Sequence, residues 1–183
     1  MVAIDDVLRF WFVESGPANW FAKDDAFDQR VRDRLMPALE EAEAGRLARW
    51  SDSPRGCLAL SIVLDQVPRN LFRGQPDQFR ADQQALRLAK QTIDQGFDLY
   101  PGFQPTNRTF IYLPLEHSES LEDQRLSVRL FHERVGDPQA VLYAERHLEI
   151  IERFGRFPHR NAALGRPTTE EEAAFLQEPN SSF

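Results

Sequence analysis

The chain has 183 residues, 42% of them hydrophobic and 28% charged, which suits one globular domain over 1–183 and excludes a disordered or fibrous chain. The formal net charge of −7 excludes a broadly basic nucleic-acid-binding surface. The single cysteine, Cys57, excludes an internal disulfide and a Cys-rich zinc site. It lies in the apolar run 57–64 and reads as a small buried hydrophobe rather than a nucleophile. The first residues lack a basic and apolar leader, and no apolar run approaches the roughly 18 residues that span a bilayer. The expectation is therefore a cytoplasmic protein with no membrane and no nucleic-acid partner.

Nearly every segment between breakers has helical spacing. Ile4, Val7, Leu8, Trp11 and Phe12 form one apolar face, ended by Ser15-Gly16-Pro17. After Trp20-Phe21, Phe27, Val31, Leu35 and Leu39 recur every four residues; Pro37 predicts a kink or split there, and Gly45 suits the C-terminal cap. Ser53-Pro54 is a cap-plus-proline start. The helix that follows is apolar almost all round to Leu64, which predicts a central, buried position, with Pro68 ending or bending it. After the Gly74-Gln75-Pro76 turn, a long amphipathic helix is predicted over about Asp77–Gln95, closed by Gly96. The stretch 97–106 reads as a loop, and a short helix over about Asn107–Leu113 is expected to end near Pro114. Leu121–Val135 reads as a helix stopped by Gly136, and Asp137-Pro138 opens another to about Phe154, with Gly155 beyond it. Thr168-Thr169 with Glu171 and Glu172 offers a capping box for a last helix. No segment alternates as a strand does, and there is no clean internal repeat.

Three segments carry polar chemistry that core-and-surface patterning does not explain. Asp65-Gln66-Val67-Pro68-Arg69-Asn70 ends the most buried helix, and Asp65 and Arg69 are spaced to pair. In Tyr112-Leu113-Pro114-Leu115-Glu116-His117-Ser118-Glu119, a proline opening a new turn sets Glu116 and His117 near a helix N-terminus, with Glu116 or Glu119 to orient the histidine. Between Arg153 and Arg166 stand four arginines and His159 without an acid, a local cationic spot. His147 shares the apolar face of Ala140, Ala144, Ile151 and Phe154 and should point inward, whereas His132, among charged neighbours, should be solvated.

The motifs at 65–74, 112–119 and 153–161, with Phe10-Trp11-Phe12 before them and Thr168–Glu172 after, strongly resemble a mainly bacterial family catalogued as domain of unknown function nine-two-four. Val67 departs from the pattern, where an aromatic residue is expected. The resemblance spans almost the whole chain. It implies an all-helical fold of about eight or nine helices, similar to tetratricopeptide-like arrays, and no established activity.

The leading functional expectation is a pocket for a small anionic ligand where these segments meet. It is lined by Asp65, Arg69, Asn70, Arg73, Tyr112, His147, Arg153, Arg156, His159 and Arg160, because arginines deliver charge-assisted, two-pronged hydrogen bonds to carboxylates and phosphates. Phe154 and Phe157 would wall it. If chemistry occurs there, His117 with Glu116 is the expected acid–base unit. Three rivals stand beside this expectation. One is a buried structural network of the same residues. Another is a scaffold presenting a groove to a protein partner. The third is a metal site of His117, His147, Glu116 and Asp65, for which no HExxH or Glu-x-x-His spacing is present. No glycine-rich nucleotide loop occurs, so no cofactor is named.

Overall fold

The computed structural model describes residues 2–179 and 181–182, and among these every regular element is a helix. Helix α1 (Ile4–Arg9) passes directly into a π turn, Phe10–Ser15, and α2 (Pro17–Trp20) follows the turn at Gly16. Helix α3 (Asp25–Glu43) begins at Asp24, whose carboxylate accepts from the Ala26 and Phe27 N–H groups. Pro37 does not split it. The buried stripe Phe27, Val31, Leu35, Ala38, Leu39 and Ala42 runs across the proline, and this packing offsets the hydrogen bond the ring removes.

A tight turn, Ala48–Asp52, leads into α4 (Pro54–Ser61), capped by Ser53. Gly56 is required here. A Cβ at this position would lie 2.0 Å from the Trp50 carbonyl oxygen, so only glycine lets the turn lie flat on the helix. The rod continues through a π turn, Ile62–Gln66, into α5 (Val67–Leu71). Pro68 therefore ends nothing. The widened turn before it puts the proline in the first turn of α5, where a missing N–H costs least.

The helix predicted over 77–95 is shorter. A 3₁₀ turn covers Pro76–Phe79, Arg80 and Ala81 turn the chain, and α6 runs Asp82–Asp94. A further 3₁₀ turn, Phe97–Leu99, lies in the expected loop. Helix α7 (Pro105–Glu116) starts two residues before the prediction, on Pro105, and passes through Pro114 to end at His117. Its whole last turn and a half is buried, and that burial holds it straight through the proline. Helix α8 (Leu121–Leu130) closes in a π turn, Phe131–Val135, before Gly136. Helix α9 (Pro138–Phe154) starts on the Asp137 cap and ends at Gly155 (φ +68°). After a 3₁₀ turn at Pro158–Arg160, α10 (Glu170–Phe175) opens on the Thr169/Glu172 capping box, as the spacing predicts.

The α4–α5 rod is central. Helix α3 packs on α5, while α1, α6 and α7 pack on α4; α7, α8 and α9 then follow in succession. One apolar core runs from Val7 to Ala144 and contains Cys57, fully buried as expected. A smaller cluster of Ile150, Ile151 and Phe157, joined by Phe154 and Phe175, forms under the C-terminal turns. No helix among the described residues is long and apolar enough to cross a membrane.

Candidate functional site

The π turn at Ile62–Gln66 brings Asp65 into the interior, where it is fully buried. Its Oδ1 lies 2.8 Å from His117 Nδ1 and 3.2 Å from an Arg69 nitrogen, and Gln66 Nε2 donates to Oδ2 at 2.7 Å. Burial alone would raise this carboxyl, but the Arg69 charge and the hydrogen bonds from His117 and Gln66 outweigh it and hold Asp65 well below the usual carboxylate range. The spacing of Asp65 and Arg69 thus makes the pair the sequence predicts. Arg69 also grips Asp82, at the start of α6, with two bonds of 2.9 and 3.1 Å.

His117 and Glu116 are not near a helix N-terminus. Because α7 runs through Pro114, Glu116 is its last residue and His117 its C-cap. Adjacent residues on a helix point about 100° apart, so the two separate. His117 is oriented by Asp65, and Glu116 by His147 of α9, whose Nδ1 lies 3.2 Å from Glu116 Oε1 and 2.8 Å from the Tyr143 carbonyl oxygen. A carbonyl only accepts, so His147 Nδ1 carries the hydrogen. Glu119 does not orient His117 either. It takes Arg166 through bonds of 2.8 and 3.0 Å and the Phe157 N–H at 2.8 Å.

Electrostatics divides the two pairs. Burial, then the nearby Asp65 charge, pushes Glu116 up to about 8. Burial, then His117, pushes His147 down to about 3. At neutral pH both groups are therefore neutral, with His147 Nδ1 close to Glu116 Oε1 and bonded to the Tyr143 carbonyl, and Glu116 Oε2 is buried without a partner. His117 is lowered by burial and by Arg69 against the pull of Asp65, so its ring is neutral beside an ionised carboxylate. In that state Nδ1 donates to Asp65 and Nε2 carries the lone pair.

Arg160 comes from the turn after α9. Its guanidinium stacks between Phe157 (4.5 Å) and Phe79 (4.7 Å) and donates to the His117 carbonyl oxygen at 3.0 Å, at the negative end of α7. Its nearest carboxylate oxygen, on Asp82, is 3.5 Å away, and its Nε is buried without a partner. Burial, then Arg69, lowers it to about 10. Burial, then Arg160, lowers the neighbouring His159 to about 4. Phe157 packs edge-on against His147 and leans on His159.

The three motif segments therefore meet, but not with all their residues. Asp65, Arg69, Glu116, His117, His147, His159 and Arg160 form the inner cluster. Asn70 and Arg73 leave it to hold Asp28 of α3, at 2.7 Å each. Tyr112, one turn before Glu116 on α7, donates to Asp98, which Arg134 also holds. Arg153 reaches Glu171, and Arg156 clamps Glu172 at 2.6 and 2.8 Å. Phe154 packs on Phe175 and walls no part of the cluster. The expected cationic spot is thus largely neutralised by acids distant in sequence. Sequence reading put Gln66 in the interior without assigning it to the site, and it missed Asp82 at the cluster and Asp28 and Glu172 at the clamps. For Glu172 a signal existed, because its capping-box position buries it; for Asp82 none did. His132 is exposed beside Glu145, as expected. Among the described residues, no group of three His, Cys, Asp or Glu side chains is placed to hold a metal ion.

Comparison with proteins of known function returns no match. A solved structure, described as a protein of unknown function, ATU0120 from Agrobacterium tumefaciens, is 38% identical over 95% of this chain and 96% of its own, with a TM-score of 0.90. The pattern of the DUF924 family, described as bacterial proteins of unknown function, matches residues 7–180. By that match and that likeness, the chain belongs to the DUF924 family.

Proposed function

We propose that the inner cluster is a proton-transfer site for a small anionic ligand, with His117 as the base and Arg69 and Arg160 as the cationic groups beside it. One observation carries the reading. The His117 ring is committed through Nδ1 to a buried, ionised Asp65 at 2.8 Å, which leaves the lone pair of Nε2 for a ligand, and the side chain is 14% exposed. A neutral imidazole held in one tautomer by a carboxylate is a competent general base. The π turn that delivers Asp65 is a feature frequent at functional sites. The outer residues Asn70, Arg73, Arg153 and Arg156 act in this proposal as locks between helices and touch no ligand.

The test is a thermal-shift panel of small carboxylates and phosphates, followed by nitrogen-15 titration of the His117 ring. A ligand at a hundred times its Kd should add about 2.7 kcal/mol. The expected result is a hit that Arg160→Gln loses, and a His117 ring that titrates below an ordinary histidine until ligand binds. A blank panel together with an ordinary His117 titration sinks the proposal.

A further inference from the structure

Asp82 is the one carboxylate at the cluster supplied by neither an established motif residue nor the core rod. It sits between two guanidinium groups, with both oxygens on Arg69 (2.9 and 3.1 Å) and Oδ2 3.5 Å from Arg160. Two arginines converging on one carboxylate form a recognition site for that group, because each fork matches a planar pair of oxygens. The carboxylate found there belongs to the chain itself. Unlike Asp65, which is 1% exposed, Asp82 is 20% exposed and lies in the first turn of α6, so a change of rotamer carries it to water.

We propose that Asp82 occupies the seat of a small, singly charged carboxylate ligand, which displaces it from between Arg69 and Arg160. This rests on the proton-transfer reading and names the ligand class for it. Charge balance favours a monoanion: Asp65 and Asp82 stand against Arg69 and Arg160, two against two, and a carboxylate replaces Asp82 one for one. A phosphate dianion would add a second negative charge beside the buried Asp65, at a cost that grows in a low-dielectric site. Shape favours a planar group. The Phe79 and Phe157 rings pack on the Arg160 guanidinium, whose N–H groups all lie in its own plane, so a planar pair of oxygens meets them along that edge. A carboxylate on that edge lies beside His117, whose carbonyl Arg160 already holds.

The experiment measures the thermal midpoint of the parent, Asp82→Ala, Asp82→Asn and Asp28→Ala in sodium acetate, sodium phosphate and sodium chloride at matched ionic strength. Asp28→Ala is the internal control, since it frees Arg73 from a two-pronged carboxylate where no second arginine converges. The expected result is a saturable acetate response in Asp82→Ala at a concentration at least about tenfold below that of the parent or Asp28→Ala, with phosphate weaker than acetate. Asp82→Asn keeps the side-chain volume and should show the same order if the alanine variant does not fold. Equal acetate responses in the Asp82 and Asp28 variants, or phosphate stronger than acetate, overturn the proposal. Failure here with a persisting anion response in the parent leaves the proton-transfer reading standing. A parent that answers no anion and whose His117 titrates ordinarily, while Asp82→Ala binds acetate, overturns that reading and leaves the carboxylate seat.

Discussion

The clamp at Glu172 and the inner cluster at Asp65 are built from the same residue types and end in opposite conditions. Glu172 receives Arg156 through two bonds, the Thr169 N–H at 2.8 Å and Asn161 at 3.2 Å, so its acceptors are used up and its charge is matched. Such a carboxylate is held down to about 2 by Arg156 and the Thr169 backbone and has nothing left to offer a ligand. The inner cluster keeps capacity in reserve: Glu116 Oε2 and Arg160 Nε are buried without partners. Its two carboxyls are driven apart, Asp65 downward and Glu116 upward to about 8. Groups of one type pushed to opposite protonation states mark acid–base sites more often than locks. The comparison teaches that the chemistry of an arginine–carboxylate motif lies in what its partners leave unsatisfied.

The largest expected effect comes from Asp65. Asp65→Ala strips a buried partner from Arg69 and His117 together, and breaking a buried pair from one side costs about 3–5 kcal/mol. Urea unfolding should show that loss with helical content kept at low denaturant. A loss below about 1 kcal/mol would mean that the cluster is wet and loosely held, and the contrast with the clamp would collapse.

The pH dependence follows next. Glu116 has its proton affinity raised on folding, from 4.5 to about 8, so its contribution is lost as pH rises through that interval. His147 is lowered from 6.5 to about 3, so its contribution is lost as pH falls through that interval. Between pH 4.5 and 6.5 these two slopes oppose, but His159, lowered to about 4, and His117, also lowered, add to the His147 side. Stability therefore rises with pH to a maximum near 6.5 and is lost on both sides of it. Asp65, held below its ordinary value, adds to the loss on the acid side. Each slope approaches at most one proton, about 1.4 kcal/mol per pH unit. Glu116→Gln should abolish the decline above pH 6.5 and steepen the rise below it. Denaturation midpoints from pH 4 to 9 check it, and an unchanged alkaline limb contradicts the assignment of a protonated Glu116.

Much of the fold was legible because its signals are local. Ser53-Pro54, Asp137-Pro138 and Thr169 with Glu172 mark helix starts within one turn, and all three caps form. The misreadings share one physical cause. Pro37, Pro68 and Pro114 each break a local rule, and each is overridden by burial of the helix face or by a π turn, neither of which local propensity contains. That override decides the site. Continuing α7 through Pro114 turns the predicted N-terminus at Glu116 and His117 into a C-terminus and sends the two side chains to different partners. Asp65 with Arg69 was legible from a four-residue spacing, whereas His117 with Asp65 spans 52 residues and Arg69 with Asp82 depends on a tertiary turn. No periodicity encodes such long-range pairs.

The clamp gives the next, local, effect. Arg156→Ala takes two bonds from Glu172 and removes the donor to the Pro167 carbonyl, so α10 keeps only the weaker Asn161 tie to the turn after α9 and the Arg153–Glu171 pair. Hydrogen exchange should quicken in α10 while α4 to α8 stay protected, and any anion response should survive. Loss of that response in Arg156→Ala would return Arg156 to the site, where the sequence alone had put it.

His132 supplies the smallest effect and calibrates the rest. It faces Glu145 at 2.9 Å, yet both side chains are about half exposed to water. An exposed pair of this kind contributes little, because solvent screens the attraction and two mobile side chains must be ordered to make it. His132→Ala should change stability by less than about 0.5 kcal/mol and leave the pH profile in place. His147→Ala removes the same ring from an interior position and should make the acid limb shallower, with the His159, His117 and Asp65 contributions left. If the two variants behave alike in denaturant midpoints across pH, the histidines differ only in location. If they separate, the pH profile belongs to the inner cluster, because burial against Glu116 rather than the imidazole itself sets the response.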